Sequence, residues 1–180
     1  MRETERGKLG SEKGSAAHDI VMFAAVIVFV LLPVFSVVFE KYALLCKGQI
    51  IKDAVDMTNV STYMAINSRN LGKNSISFDS PEVAAIYRDL LARNLNLNRD
   101  LTPRENSVAE NTVTIDSLVC YTAGFPLACP EGKKLARPAV HSCVTVPVRP
   151  VLLRQMILEL MGKQYIELKV HVDSDIPVNN

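Results

Sequence analysis

The sequence predicts an α+β protein. A long N-terminal transmembrane helix continues into a soluble helix, and a small antiparallel sheet with one or two short helices follows. Three observations predict this. The run from Ile20 to Phe39 carries no charge, no proline falls between Pro33 and Pro81, and beyond about residue 112 apolar residues recur at every second position.

At about 1.5 Å of rise per residue, Ile20–Phe39 spans roughly 30 Å as a helix, the thickness of a bilayer's hydrocarbon core. Its edges are sharp, with His18 and Asp19 before it and Glu40 and Lys41 after it. A buried core helix would keep a polar stripe at helical period, and this run is apolar all round. Pro33 and Ser36 interrupt it, as transmembrane helices tolerate when nearby groups satisfy the backbone. The rival is a cleaved secretory signal, whose apolar region runs about 7–15 residues and ends in a small-residue cleavage site. The run here is longer and exits into Glu40-Lys41-Tyr42, which favours a retained anchor.

Orientation rests on basic residues. Arg2, Arg6, Lys8 and Lys13 precede the run and Lys41, Lys47 and Lys52 follow it, a lean toward a cytoplasmic N-terminus. The expected organisation is a polar tail or leader over 1–19, a transmembrane helix over 20–39, its soluble extension over 40–71 and an extracytoplasmic α+β domain over 72–180. The expected location is the inner membrane, crossed once.

After the membrane run, Ala43, Ile50, Ala54, Met57, Ser61 and Met64 form a stripe at helical spacing, with Asp53, Asp56, Asn59 and Asn67 off it. Asn70 and Gly72 provide a stop. Ser80-Pro81-Glu82 opens a second helix, with Ser as cap and Pro in the first turn. Val83, Ile86, Tyr87, Leu90 and Leu91 mark its buried face, and the asparagines from Asn94 to Asn98 end it. A polar loop through Pro103 and Asn106 follows.

Strands come next. Val113, Ile115, Ser117 and Val119 alternate with Thr114, Asp116, Leu118 and Cys120, and a Pro/Gly loop leads to Val140, Ser142, Val144, Val146 and Val148. A short helix is expected over Val151–Met161, with Leu153, Ile157 and Leu160 on one side. In the closing strand, Ile166, Leu168, Val170 and Val172 face inward, and Glu167, Lys169 and His171 face solvent. Three such strands suit an antiparallel sheet covered by helices.

Composition excludes several functions. Lys+Arg number 20 against 19 for Asp+Glu, with no basic stripe for nucleic acid, and the absence of Trp leaves few stacking platforms. The metalloprotease helix, P-loop, dinucleotide and nucleophile-elbow motifs are missing. Asp173 and Asp175 read as a polar C-terminus, and Lys133, Lys134 and Arg137 as a solvated loop that could also meet lipid headgroups. Asn59-Val60-Ser61 is a formal glycosylation triplet inside a predicted helix, and is incidental.

Cys46, just beyond the membrane run, reads as a small helix residue. Outside the cytoplasm, one disulfide is expected among Cys120, Cys129 and Cys143, with its connectivity open. Zinc on Cys120, Cys129, His141 and Cys143 is disfavoured by irregular spacing, since structural zinc ligands come in close pairs. A Cys143/His141 nucleophile pair needs a cleft and an orienting partner that nothing marks. The expectation is therefore a chain without catalytic residues, metal, cofactor or small-molecule substrate.

The order of features resembles the type IV pilin-like proteins, and among them the TadE-like minor pseudopilins of tight-adherence (Flp) pilus systems. Gly14-Ser15-Ala16-Ala17-His18-Asp19 is similar to the family's processing site, with Asp where Glu is usual. Leu31-Leu32-Pro33-Val34-Phe35 with Glu40-Lys41-Tyr42 is similar to its membrane helix and polar, aromatic exit. Val144-Thr145-Val146-Pro147-Val148 and the closing strand look like its β-rich tail. The resemblance implies cleavage between Gly14 and Ser15, with Asp19 fifth in the mature chain. It also implies a non-enzymatic assembly component whose partners are membrane lipid and other pilin-like subunits or assembly proteins. Asp19 has a plainer reading too, as a boundary charge favoured at the positive end of the helix dipole. Two other readings stand beside the resemblance. One is a signal-anchored envelope interaction domain unrelated to pili, and the other is a membrane-tethered Cys/His enzyme.

Overall fold

A computed structural model describes residues 9–69, 81–121 and 124–176. The chain divides into two compact units, Met1–Ala43 and Leu44–Asn180. In the first, helix α1 spans Leu9–Val26, a π-helical turn spans Ile27–Leu31, and α2, Leu32–Arg69, begins. Among the described residues, one helix is long and apolar enough to cross a membrane, and its most apolar window buries nothing. The π-turn has a local cause. Proline at position 33 has no N–H, and its ring crowds the carbonyl four residues back, so the helix widens just ahead of it. The Leu32 N–H bonds back to the Ile27 carbonyl across this wider turn. Ser36 Oγ donates to the Leu32 carbonyl at 2.8 Å, so this hydroxyl is satisfied within its own helix.

The second unit is built on a three-stranded antiparallel sheet with β4 at its centre. Its strands are β1 (Thr114–Tyr121), β4 (Ala139–Val148) and β5 (Ile166–Asp175), in the order β1-β4-β5. A separate two-stranded hairpin joins β2 (Leu127–Ala128) to β3 (Lys134–Leu135). Helix α3 spans Pro81–Asn94 and α4 spans Arg154–Met161. The expected Ser80 cap and the Asn70–Gly72 stop lie outside the described residues.

One sheet face makes the core. Val144, Val146, Val148 and Val172 pack with Ile51 and Val55 of α2, with Tyr87 and Leu91 of α3, and with Leu97, Leu101 and Val113 from the connecting loop. Each such side chain removed from water contributes about 1.5–3 kcal/mol, so this face supplies most of the unit's driving force.

The buried face of α2 differs from the expected stripe. Ile51, Val55, Thr58, Asn59 and Thr62 are buried, whereas Ile50, Met57 and Met64 are 56–61% exposed. For Thr58 and Asn59 the reason is hydrogen bonding. Asn59 Nδ2 donates to Ser174 Oγ at 2.9 Å and reaches the Val140 and Val172 carbonyls, while Ser142 Oγ donates to Asn59 Oδ1 at 2.7 Å. Asn94 Nδ2 donates to Thr58 Oγ1. Paired in this way, polar groups can be buried where an apolar count would not place them. Full burial also keeps the Asn59 amide from serving as a glycan acceptor in the folded chain.

Two further expectations are corrected. Helix α4 starts at Arg154, later than expected, and buries no residue; Leu160 is 87% exposed. The loop expected between the first two strands folds in part into the β2–β3 hairpin.

Candidate functional site

The sheet's second face is polar, and a bulge makes it so. In β1 the register slips between Ile115 and Ser117, so Ile115 still packs on the core while Leu118, not Ser117, returns to it. The extra residue reverses the alternation beyond it. Ser117 therefore shares a face with His141 and Cys143, opposite the side expected from simple alternation. Across the other edge of β4, His141 pairs with Asp173 and Cys143 with His171.

The β2–β3 hairpin brings in the remaining groups. Gly132 N–H bonds to the Cys129 carbonyl at 2.8 Å and Cys129 N–H to the Lys133 carbonyl at 2.9 Å, with Gly132 at φ +83°. With Pro130 in second place, this is a type I turn closed by a left-handed glycine. Its apolar residues Leu127 and Leu135 pack with Cys129, Ala139, Tyr121 and Phe125. That packing fixes Cys129 and Lys133 beside the polar face.

At the centre, His141 Nδ1 donates to Asp173 Oδ1 at 2.8 Å, and both side chains have no exposed surface. Ser117 Oγ lies 3.2 Å from His141 Nε2. His171 Nε2 lies 2.9 Å from Asp173 Oδ2 and 3.7 Å from Cys129 Sγ, and the two imidazole centroids are 4.9 Å apart. Lys133 Nζ reaches to 3.5 Å from Asp173 Oδ2 from a side chain that is 57% exposed. Asp173 Oδ2 is nonetheless a buried oxygen without a directed hydrogen bond.

Burial pushes the Asp173 pKa up. The hydrogen bond from His141, the close approach of the His171 ring nitrogen and the charges of His171 and Lys133 outweigh it and hold the carboxyl below its ordinary value. One ligand atom each from Cys129, His141, His171 and Asp173 lies within 4.8 Å of the other three. A cleft of about 590 Å³ opens alongside, lined by Asp56, Lys133, Arg137, Asp173 and Ser174 among others.

The sequence-based site residues are dispersed. Gly14 and Ser15 fall within α1, and Asp19 is exposed on the same helix. The cysteines keep separate thiols. Cys129 faces His171, Cys143 Sγ lies 3.8 Å from Asp116 Oδ2, and Cys120 stands opposite Val140 in the strand register. Burial, with Asp116 and Glu131 nearby, pushes the Cys143 thiol up against the opposing pull of Lys169, the reverse of what a reactive thiol needs.

Of the four ligands weighed for zinc, the fold brings together Cys129 and His141 and adds His171 and Asp173 in place of Cys120 and Cys143. His171, expected on a solvent face, is half buried, and the Asp173 side chain, expected in a solvated tail, is inaccessible to water. The available signal was the spacing of His171 and Asp173, two apart and so on one face of a strand. What hid it was the lack of any sequence cue that Cys129 or His141 would face them.

Ser117, His141 and Asp173 also stand in the order of a nucleophile, a base and an orienting acid. However, Ser117 sits mid-strand, paired with Cys143, and does not line the cleft beside Asp173. That linear set suits the orientation of His141 better than attack on a substrate.

Comparison with family models, curated proteins and solved structures finds no match for this chain.

Proposed function

We propose that the chain is a single-pass membrane protein that carries its C-terminal α+β domain outside the cytoplasm. On this reading it acts, without catalysis, as a minor pseudopilin or assembly component of a pilus or secretion apparatus. The carrying observation is the long apolar helix, whose most apolar window buries nothing within the chain and so calls for lipid or other helices around it. Two features support the pilus-type partner. Gly14-Ser15 and Asp19 stand at prepilin spacing before the apolar run. Ile50, Met57 and Met64, seven residues apart, form an exposed apolar row on α2 that suits a neighbouring helix. In the membrane, Ala24 and Ala25 allow close helix approach. An acidic side chain at the apolar edge is costly unless paired, so Asp19 would meet a cation such as the N-terminal amine of an adjacent subunit.

The test is the intact mass of the protein from its native membrane fraction. A chain beginning at Ser15 with its helix retained supports the assembly reading. A chain that keeps residues 1–14 leaves a signal-anchored envelope domain that binds some other partner. Loss of everything through Phe39 would mean a cleaved signal and would end the membrane-anchor reading.

A further inference from the structure

We propose that Cys129, His141, His171 and Asp173 bind one divalent transition-metal ion of the zinc type, and that this ion fastens the β2–β3 hairpin onto the sheet. The proposal is independent of the pilus reading, since it rests only on the second unit.

Donor chemistry selects the metal class. A thiolate, two imidazoles and one carboxylate suit zinc and its neighbours rather than magnesium or calcium, which prefer oxygen alone. Two anionic ligands balance the ion's two positive charges, so the site is neutral when filled. Zinc bonds of about 2.3 Å to sulfur and 2.0–2.2 Å to nitrogen or oxygen put neighbouring tetrahedral donors about 3.4–3.6 Å apart. The Cys129–His171 separation of 3.7 Å already matches. The 2.9 Å contact of His171 Nε2 with Asp173 Oδ2 would open by less than an ångström.

Asp173 Oδ2 supplies a second, independent observation. A buried carboxylate oxygen that Lys133 and His171 both crowd without a directed hydrogen bond is placed as a metal ligand would be. Ser117 supplies a third. Metal-bound histidines commonly donate their other ring N–H to an oxygen, and Ser117 Oγ stands at His141 Nε2. On binding, the Cys129 thiol releases its proton to solvent. The single proton of His141 moves from Nδ1 to Nε2, where Ser117 Oγ accepts it, and His171, neutral, carries its proton on Nδ1 so that Nε2 is free to ligate. Lys133, on a long exposed stem, swings away as the ion takes its place beside Asp173. With four protein ligands the coordination sphere is closed, which marks the site as structural.

The experiment uses the full-length chain in detergent, stripped with a chelator and titrated with Co²⁺ and then Zn²⁺. One Co²⁺ per chain is expected, with the intense visible absorption of a tetrahedral site and a thiolate-to-cobalt charge-transfer band, both abolished when Zn²⁺ displaces it. Cys129→Ser should remove the charge-transfer band, whereas Cys120→Ser and Cys143→Ser should keep it. His171→Gln gives a second ligand test if Cys129→Ser does not fold, as judged by circular dichroism of the metal-free protein. Ser117→Ala should weaken Zn²⁺ binding about 10–100-fold while keeping the spectrum. Hydrogen exchange across residues 124–135 should slow at least about tenfold with Zn²⁺, as a ligand held only by the folded hairpin requires. The proposal is overturned by a weak six-coordinate cobalt spectrum, by a charge-transfer band that survives Cys129→Ser, or by hairpin exchange indifferent to zinc.

Discussion

His141 on the central strand and Asp173 on its neighbour face each other across the sheet, with Nδ1 and Oδ1 2.8 Å apart and neither side chain exposed to water. This pair ties the polar face together. Asp173 holds the His141 ring in one orientation, presents Ser117 with the far nitrogen, and anchors Lys133 and His171. Replacing Asp173 by Asn keeps the volume and removes the charge. The metal-free protein should then lose about 1.5–3 kcal/mol, the usual worth of a hydrogen bond to a charged group. Denaturant unfolding in detergent measures it, and a loss below 0.5 kcal/mol would mean that the pair is not structural.

On the core face the corresponding polar seam is Asn59. Its amide is fully buried and bonds Ser174, Ser142 and two strand carbonyls. Asn59→Leu leaves at least one hydroxyl unsatisfied and should destabilise by about 2–4 kcal/mol, given about 1–3 kcal/mol for each stranded buried polar group. Asp56, exposed one turn earlier on α2, also accepts a hydrogen bond from Ser174. Asp56→Asn should cost well under half as much in the same assay.

Tyr87 is buried with a hydroxyl that lacks a directed partner. Burial pushes its pKa up from 10.0 to about 12, with Ser142 a smaller opposing influence. An acid whose folded pKa exceeds its unfolded one favours the folded state less as pH rises between the two. Stability should therefore hold up to about pH 10 and fall by about 1.4 kcal/mol per pH unit toward pH 12. Tyr87→Phe should lose this dependence and be as stable as the parent at pH 7, or more stable by up to about 1 kcal/mol, because no bond is broken. A parallel alkaline decline in both proteins would show that another group is responsible.

Thiol accessibility gives a quicker check. Cys46 is exposed, whereas Cys129 and Cys143 are buried. Native alkylation should label Cys46 first, with Cys143 slowed further by its raised pKa. Unfolding without reductant should bring the count to four. A final count of two would restore the disulfide expected from the cysteine positions.

Much of the scaffold was legible in the sequence. The edges of the apolar run were marked by charges, Pro81 opened α3, and the alternation from Ile166 to Val172 announced β5, because each depends on neighbours along the chain. The buried face of α2 was misread, because Asn59 looks solvated until the sheet supplies its partners, and Thr58 until Asn94 of α3 does. Helix α4 begins three residues later than expected, at Arg154, and none of its residues is fully buried.

The sequence by itself determined one apolar segment of bilayer length, a helical stretch after it and a β-rich end, all consequences of local periodicity and capping. Only the tertiary structure decided the polar site. A single bulged residue near Asp116 turned Ser117 to the far face, and strand pairing set Asp173 against His141. The turn at Pro130–Gly132 brought Cys129 to His171 across 42 positions of sequence. The physical reason is that side-chain convergence depends on register, and register is set by pairing between segments that share no local signal.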